Sequence, residues 1–531
     1  MGDELVLRLV QGAIDFQDGT LFGNDAGEDE LPDVLNSYFV DQPAFKQFFN
    51  RNQPFQVARS RKGMGKSALL SKLAFDLERA DKELILINLT GAKLLGLSPP
   101  PTGANHLELQ NYWSRLICAS INYAIGARLG FTFSDATTAL VDSAELATLK
   151  DRNIAGALLN RIKSSKVPIE LTSVGHADPD TLLMSAVERS GNTRVWLLVD
   201  DIDSTYIDSP EQRALTSTFF SACRALAREV KGLSIRASVR TDVWSALRQN
   251  EDLDKCEQYV TDISWSAADM KTILSKKVYS YLERTNMQPQ IALDYAADAD
   301  QVLELAFEAR MKWGASRVPP FRPIYILSAG RPRWMSQLCR LAGMQAAKAH
   351  APVIVKAHVN AIEKVYSRLR LNDIYKEHSH QYLGLEKLIE TFANSPARYA
   401  TADLLSQLMR RYVNGVGANN VPELDGVRYS MPLQLAHFLY KVGFIVGRRE
   451  HAGEGFGADF TRYEERPELL SDGRNPDDGL LWEVHPAYRE ALSIGKVQRS
   501  ANEAERRRGG QRSKRSRSEA PRRRKSRPRK V

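Results

Sequence analysis

The segment Phe55-Gln-Val-Ala-Arg-Ser60-Arg-Lys-Gly-Met-Gly65-Lys66-Ser67 decides how this chain is read. Phe55 to Arg59 is a short strand-like run, and Ser67 to Ala80 (SALLSKLAFDLERA) repeats apolar residues at helical spacing. From Ser60 to Ser67 the pattern is G-x-x-x-x-G-K-[ST], with Ser60 in the place of the first glycine. A strand, a glycine-bearing turn and a helix N-terminus in that order make a phosphate cradle. Successive backbone N–H groups wrap the anion, and bulky side chains would block its approach. The cradle is expected to comprise Ser60, Arg61, Lys62, Gly63, Met64, Gly65, Lys66, Ser67 and Ala68. Gly63 and Gly65 supply the permissive backbone. Lys66 neutralises charge on the β- and γ-phosphates, and the Ser67 hydroxyl is a ligand for Mg2+. A glycine turn with a solvated lysine is the bland alternative, and the strand–loop–helix order argues against it. Ser60 is small enough for the loop to tolerate.

A phosphate loop that handles a triphosphate needs a carboxylate to organise Mg2+ and, for hydrolysis, one to orient water. Val195-Trp-Leu-Leu-Val-Asp200-Asp201-Ile-Asp203 supplies both at the tip of an apolar strand, where open α/β sheets gather ligands. Asp200 is expected to hold Mg2+ and Asp201 to polarise the water. Glu is also common at the second place, so the shorter Asp bears on hydrolysis rate rather than binding. Two adjacent carboxylates after a buried run repel each other without a cation. Asp203 reads as a loop-capping acid facing solvent. This strand is expected directly beside the one that carries the loop. The strand 233–239 ends in Arg240-Thr241-Asp242, which brings a basic residue within reach of a γ-phosphate. Ser328-Ala-Gly-Arg331-Pro332-Arg333-Trp334 opens a helix, with Pro332 suited to its first position. An arginine there can reach back over the nucleotide. Taken singly, each arginine reads equally well as a surface or salt-bridge residue.

Outward from these motifs, strand-like runs at 83–89, 195–199 and 233–239 interleave with helical patterns at 106–129 and 211–229. That alternation predicts a parallel α/β sheet over 51–265. Ser266 and Asp269 form a capping box, and 267–284 reads as a helix. Helical segments then dominate, giving a helical lid over 266–375. Residues 376–495 carry a mostly helical domain. Within it, 384–411 reads as helix–turn–helix broken at Ser395-Pro396, and 433–449 as a helix, a Gly443 stop and a strand. Another strand follows at 480–484. Helices followed by strand, loop and strand resemble a winged helix, which contacts DNA with a recognition helix and a wing or clamps a neighbouring ATPase domain. No internal repeat stands out.

Charge is unevenly spread over the 531 residues. Lys496 to Val531 hold 16 Lys/Arg and 3 Glu, a charge of +13 against +9 for the chain, so the first 495 residues sum to −4. From Arg506 the tail has no large apolar residue before Val531, so it cannot build a core and is expected to be disordered. It suits nucleic-acid phosphates, DNA or RNA; a solubilising extension is the plain alternative. The 4 cysteines show no CxxC or zinc spacing, which predicts a reducing compartment. No apolar run spans a bilayer, and Met1-Gly-Asp-Glu is acidic where a signal peptide would be basic. A cytoplasmic protein without a membrane partner is expected.

SRKGMGKS at 60–67, VWLLVDDID at 195–203, ASVRTDVW at 237–244, DISW at 262–265 and GRPRWM at 330–335 together resemble the P-loop ATPases of the AAA+/STAND group, close to KAP-like and initiator-like bacterial ATPases. The resemblance covers roughly residues 20–490, and the first two motifs are the specific ones. It implies ATP and Mg2+ as cofactors. Lys66, Asp201 and the two sensors, Arg240 and Arg333, would be the catalytic residues; Arg331 rivals Arg333. It makes residues 1–50 a lead-in whose FGNDAGEDE segment, 22–30, covers the adenine. A homo-oligomer and an effector on another chain are implied partners, as is a role in bacterial defence against phage or mobile DNA. No NKxD motif supports a guanine-specific site. The expected function is an ATP-hydrolysing switch acting with DNA. The alternative is a nucleotide-stabilised DNA-binding or scaffold protein with negligible turnover.

Overall fold

A computed structural model describes residues 14–25, 27–81, 84–128, 194–247, 251–286, 293–314, 316–379, 381–415, 423–424, 427–428, 431–450, 458–471 and 477–495. The basic tail from 496 onward and the loop 451–457 lie outside the described residues. The chain divides into two compact units, Met1–Ala361 and Ile362–Val531, and the division falls inside the helix Lys356–His378. Among the described residues no helix is long and apolar enough to cross a membrane, and all 4 cysteines are buried free thiols.

In the first unit, β1 (Phe55–Ser60), β2 (Ile85–Thr90), β3 (Val195–Asp200), β4 (Leu233–Arg240) and β5 (Val260–Asp262) form a five-stranded sheet in the order β2-β3-β4-β1-β5. Every pairing is parallel. The principal helices of this unit are α1 (Pro32–Tyr38), α2 (Lys66–Ala80), α3 (Gly91–Leu95), α4 (His106–Arg128), α5 (Pro210–Glu229), α6 (Ala267–Arg284) and α7 (Pro332–Lys348). The expected capping box on α6 is present in both halves, with Ser266 and Asp269 bonding reciprocally. One expectation is corrected. The aspartate strand β3 is not beside the loop strand β1, because β4 lies between them.

Strand β3 reads as an uninterrupted apolar run because both of its faces are covered. Val195, Leu197 and Val199 pack with Trp113 and Ile117 of α4 and Phe219 and Phe220 of α5. Trp196 and Leu198 face the other way, onto Leu69, Leu73 and Leu77 of α2. A strand buried on both sides gives its terminal residue a fixed position. On β4, Arg236 is fully buried, and nothing in the sequence singled it out. Its guanidinium lies 4.7 Å from the Trp196 ring and donates to the carbonyls of Phe48 (2.8 Å) and Asn50 (2.9 Å). Those contacts replace the water a buried charge gives up.

Helix α3 begins hard against the turn that follows β3. A Cβ on Gly91 would lie 2.4 Å from the Ile202 Cα and 2.8 Å from the Asp201 carbonyl oxygen. The lead-in is fastened from below by α6. The buried Lys277 ammonium donates to the Phe22 carbonyl (2.8 Å) and sits 3.7 Å over the Tyr38 ring. Gly23 has φ of +72°, and a Cβ there would fall 2.6 Å from Lys277 Nζ. Burial pushes the Lys277 amine down to about 8, although Glu30 nearby pulls the other way.

The second unit contains α8 (Leu385–Glu390), β6 (Arg398–Tyr399), α9 (Thr401–Leu408), α10 (Pro432–Lys441), β7 (Ile445–Glu450), β8 (Ala458–Thr461) and β9 (Leu481–Val484). The strands make an antiparallel sheet in the order β8-β7-β9-β6. The first helix of the expected helix–turn–helix stops at Glu390, earlier than the Ser395-Pro396 break, and α9 runs on into a π turn over Met409–Val413. The pair β6 and β8 was not expected. Each is short, and β6 has only two residues in which to show a period.

Two expectations test this packing. Gly91→Ala should lower unfolding free energy by about 1–3 kcal/mol, the range for overfilling a close contact; a denaturation midpoint equal to wild type would show that the turn yields freely. For Lys277, the unfolded chain titrates near about 10.4 and the folded one lower. The unfolded state therefore binds more protons between these values, and stability rises with pH across that window. Urea unfolding at pH 7.5 and 9.5 should show wild type gaining on the order of 1–2 kcal/mol over Lys277→Met, and a difference flat with pH would refute the buried amine's role.

Candidate functional site

The loop between β1 and α2 turns twice through the left-handed region, at Gly63 (φ +79°) and Gly65 (φ +103°). Side chains rarely adopt such angles. Gly65 is also the N-cap of α2 and offers no side-chain cap. The first N–H groups of a helix have no intrahelical acceptor, so those at the Lys66–Ala68 end remain as donors for an anion. A Cβ on Gly65 would meet nothing within 4 Å, so space is left in front of them.

The carbonyls of the loop are engaged. Arg61 O accepts from Met64 N–H (3.4 Å) and from the Ser60 hydroxyl (3.1 Å). Lys62 O accepts from Arg331 Nη1 (3.2 Å), Gly63 O from Arg333 N–H (3.2 Å), and Met64 O from Trp265 Nε1 (2.8 Å). The last three donors belong to residues around the starts of α6 and α7. Ser60, in the first glycine's place, therefore adds a second donor to the Arg61 carbonyl, which the Met64 N–H closes into a turn. Lys66 is buried at the start of α2.

At the tip of β3, the Ser238 hydroxyl of β4 donates to Asp200 Oδ1. The Asp201 N–H is 3.0 Å from both Asp200 Oδ1 and Ser238 Oγ. Asp201 itself takes φ of +48°, an angle that Asp tolerates better than most residues. The two adjacent acids thus diverge, one ending a strand and the next starting a left-handed turn. Sequence reasoning missed Ser238. Its signal is register, since Val199 pairs with Ala237 and the next residues on each strand follow. At about 4.8 Å per strand spacing, β1 and β3 stand roughly 10 Å apart, with the tip of β4 between them.

Arg240 ends β4 opposite Ser60. Its Nε donates to Asp203 Oδ2 (2.8 Å), Nη2 to Asp203 O (3.1 Å), and its backbone N–H to Asp203 Oδ2 (2.9 Å). Asp203 is 1% exposed. The expectation of a solvent-facing acid is thereby corrected, because this carboxylate is the buried partner of Arg240. Arg333 lies along the loop, and a Cβ on Gly63 would be 3.2 Å from its Cβ. Arg331 is buried, with its guanidinium 4.4 Å from the Trp334 ring. The lead-in reaches the same region. Gly27 packs so closely on α2 that a Cβ would be 2.8 Å from Ala68 Cβ, and Asp25 accepts from Gln337 (2.9 Å) and Arg340 (2.5 Å) of α7.

This donor set fits a polyphosphate with its divalent cation. Helix N–H groups and Lys66 suit the phosphate oxygens. A hydroxyl at Ser67 and an oriented carboxylate at Asp200 suit a hard cation. Among the described residues no cluster of three or more His, Cys, Asp or Glu is placed to hold a metal by itself. Mg2+ characteristically takes one or two protein oxygens and completes its shell with phosphate and water.

In the second unit, the His437 and Tyr440 side of α10 packs against the chain that follows β8. His437 Nδ1 donates to Leu469 O (2.9 Å), Tyr440 donates to Arg466 O (3.2 Å), and Tyr463 packs edge-on against both rings. Arginines in the sheet and in the chain just after β8 are matched by acids. Arg448 pairs with Glu450 and Glu483 (both 2.8 Å), Arg449 with Asp478 (3.3 Å), and Arg466 with Glu468 and Asp478 (both 2.7 Å).

No family model matches this sequence, and no curated protein does. Among solved structures, the chain is similar to a Walker-type ATPase of Pyrococcus abyssi, at 12% identity over 80% of this chain and 93% of that one, with a TM-score of 0.37. It is similar to Cdc6p from Pyrobaculum aerophilum, at 13% identity over 91% of this chain and 98% of that one, with a TM-score of 0.31. It is also similar to the Aeropyrum pernix ORC2 protein in its ADPNP–ADP complexes, at 10% identity over 84% and 89%, with a TM-score of 0.34. At these scores no residue's role passes from those proteins to this one. The parallel sheet, its strand order and the loop that opens α2 are themselves the architecture of a P-loop α/β fold.

Proposed function

We propose that this chain is an ATP-binding and ATP-hydrolysing switch of the AAA+/STAND type that acts with DNA. The observation that carries the reading is the phosphate loop with its carbonyls tied outward and Asp200, oriented by Ser238, at the tip of the strand beyond β4. Lys66 would neutralise the β- and γ-phosphates, and the N–H groups of Gly63 and of Gly65 to Ala68 would hold their oxygens, the Met64 N–H being engaged by Arg61 O. Ser67 and Asp200 would hold Mg2+, which when bound supplies charge neutralisation at the transferring phosphoryl group. Asp201 would orient the attacking water from its turn.

The Arg240–Asp203 pair supports a switch. A γ-phosphate competes with Asp203 for the Arg240 guanidinium, so its arrival and loss would exchange one partner for the other. Arg333, along the loop at the start of α7, would carry the same information to the lid. The antiparallel sheet and helices of the second unit support a winged-helix reading. With Arg448, Arg449 and Arg466 paired to acids, phosphate contact would fall chiefly to the tail 496–531. The defence role and an effector on another chain rest on the motif resemblance alone. The Asp203-bound Arg240 also favours a second reading, a nucleotide-stabilised DNA-binding scaffold with negligible turnover.

Steady-state ATPase assays with and without duplex DNA separate the two readings. Lys66→Ala should weaken nucleotide binding. Asp201→Ala should bind nucleotide yet lose turnover by roughly 10²- to 10⁴-fold. If both variants turn over like wild type, the catalytic assignment is wrong; if wild type binds without turnover, the scaffold stands. For the tail, binding to random duplex should lose most of its salt dependence when 496–531 is removed, since log K falls by roughly 0.9 per neutralised phosphate on a log-salt scale. An unchanged slope would place the DNA contact elsewhere.

A further inference from the structure

We infer that Trp265 and Arg331 are positioning residues of the phosphate loop, holding its carbonyls away from the anion so that its N–H groups face it. The inference rests on the nucleotide reading above. A peptide unit in a phosphate loop has two orientations of opposite electrostatic sense. With its N–H inward it attracts phosphate; with its carbonyl inward it repels it. Glycine at 63 and 65 makes both orientations accessible, so the loop needs an external hold.

The hold comes from two rigid points. Trp265 stands between β5 and the Ser266 cap of α6. Asp262 of β5 is fixed by the bidentate Arg59 (2.7 Å to each oxygen), and the Trp265 ring packs edge-on against Phe45 at 5.7 Å. From there its indole N–H reaches Met64 O at 2.8 Å. Arg331 is the N-cap of α7, is 6% exposed, and stacks on Trp334 while donating to Lys62 O at 3.2 Å. Between them, Arg333 N–H bonds Gly63 O. Three successive carbonyls are thus anchored by the segments that open α6 and α7. The coupling is reciprocal. A bound polyphosphate that needs the N–H groups inward also favours the docked lid.

The test compares Trp265→Phe, which keeps an aromatic ring against Phe45 but lacks the N–H, with Arg331→Met and Arg331→Lys. Equilibrium binding of a fluorescent ATP analogue with Mg2+ and steady-state kinetics are measured on the full chain, beside melting of the nucleotide-free protein. Each of Trp265→Phe and Arg331→Met should raise Kd by about 3- to 10-fold, the loss expected for one hydrogen bond. The effect should fall on KM more than on kcat, and Arg331→Lys should recover part of the affinity. Variants that melt lower in the nucleotide-free state yet bind like wild type would assign both side chains to lid packing and overturn the inference. Wild type that binds no nucleotide would instead overturn the functional reading, and this inference with it.

Discussion

A chain can present its backbone to a polyanion only where the carbonyl dipoles point elsewhere. In this protein that constraint is met by named groups: the Ser60 hydroxyl and Met64 N–H on Arg61 O, Arg331 on Lys62 O, Arg333 N–H on Gly63 O and Trp265 on Met64 O. Each such bond is worth only about 1 kcal/mol net, but an inward carbonyl would set a partial negative charge against phosphate at low dielectric, where repulsion is far stronger than in water. The loop is therefore a composite object. Its sequence motif supplies the freedom, and groups distant in sequence remove it.

The same logic applies at the tip of β3. Asp200 and Asp201 are adjacent in sequence, yet Ser238 claims one and a left-handed turn redirects the next. The intervening strand β4 is what makes this possible. It brings Ser238 to Asp200 and places Arg240 opposite Ser60, at the point where the loop begins. Asp203 then decides the resting state of Arg240. Asp203 is 1% exposed, and breaking one side of a buried ion pair is expensive. An anion that drew Arg240 away would have to offset that cost, so under the proposed function the pair would act as a threshold.

The glycine-bearing turn between β1 and α2, the two aspartates at the end of β3 and the long helices of the first unit were legible in the sequence because each depends on short-range pattern. Gly63 and Gly65 mark the turn, and an apolar run followed by Asp200 marks a buried strand end. Ser266 with Asp269 marks a helix start that is present in both halves. What was not legible depends on pairing across the sheet. Nothing local says that β4 lies between β1 and β3. Without that order Ser238 is one serine among many, and Arg236 looks like a misplaced charge rather than one satisfied by Phe48 and Asn50 carbonyls. Trp265 stood inside a quoted motif and still gave no sign of its acceptor, 201 residues away in sequence. In the second unit, β6 is two residues long and has no period to detect.

The second unit shows why topology alone is a poor guide to a nucleic-acid surface. Helix α10 has the placement that invites comparison with a groove-reading helix, being followed by a strand and a long loop. A groove reader, however, needs polar side chains free to meet base edges, and two polar side chains of α10, His437 and the buried Tyr440, are hydrogen-bonded to the carbonyls of Leu469 and Arg466. A phosphate-binding wing needs uncompensated cations, and Arg448, Arg449 and Arg466 each face at least one carboxylate. The first 495 residues carry −4 and the last stretch +13, so the charge that attracts a polyanion is concentrated from Lys496 onward. Attraction by a tail is steep in salt and indifferent to sequence. Under the proposed function, the chain would gather on DNA by charge and take any specificity from the switch proposed for the first unit.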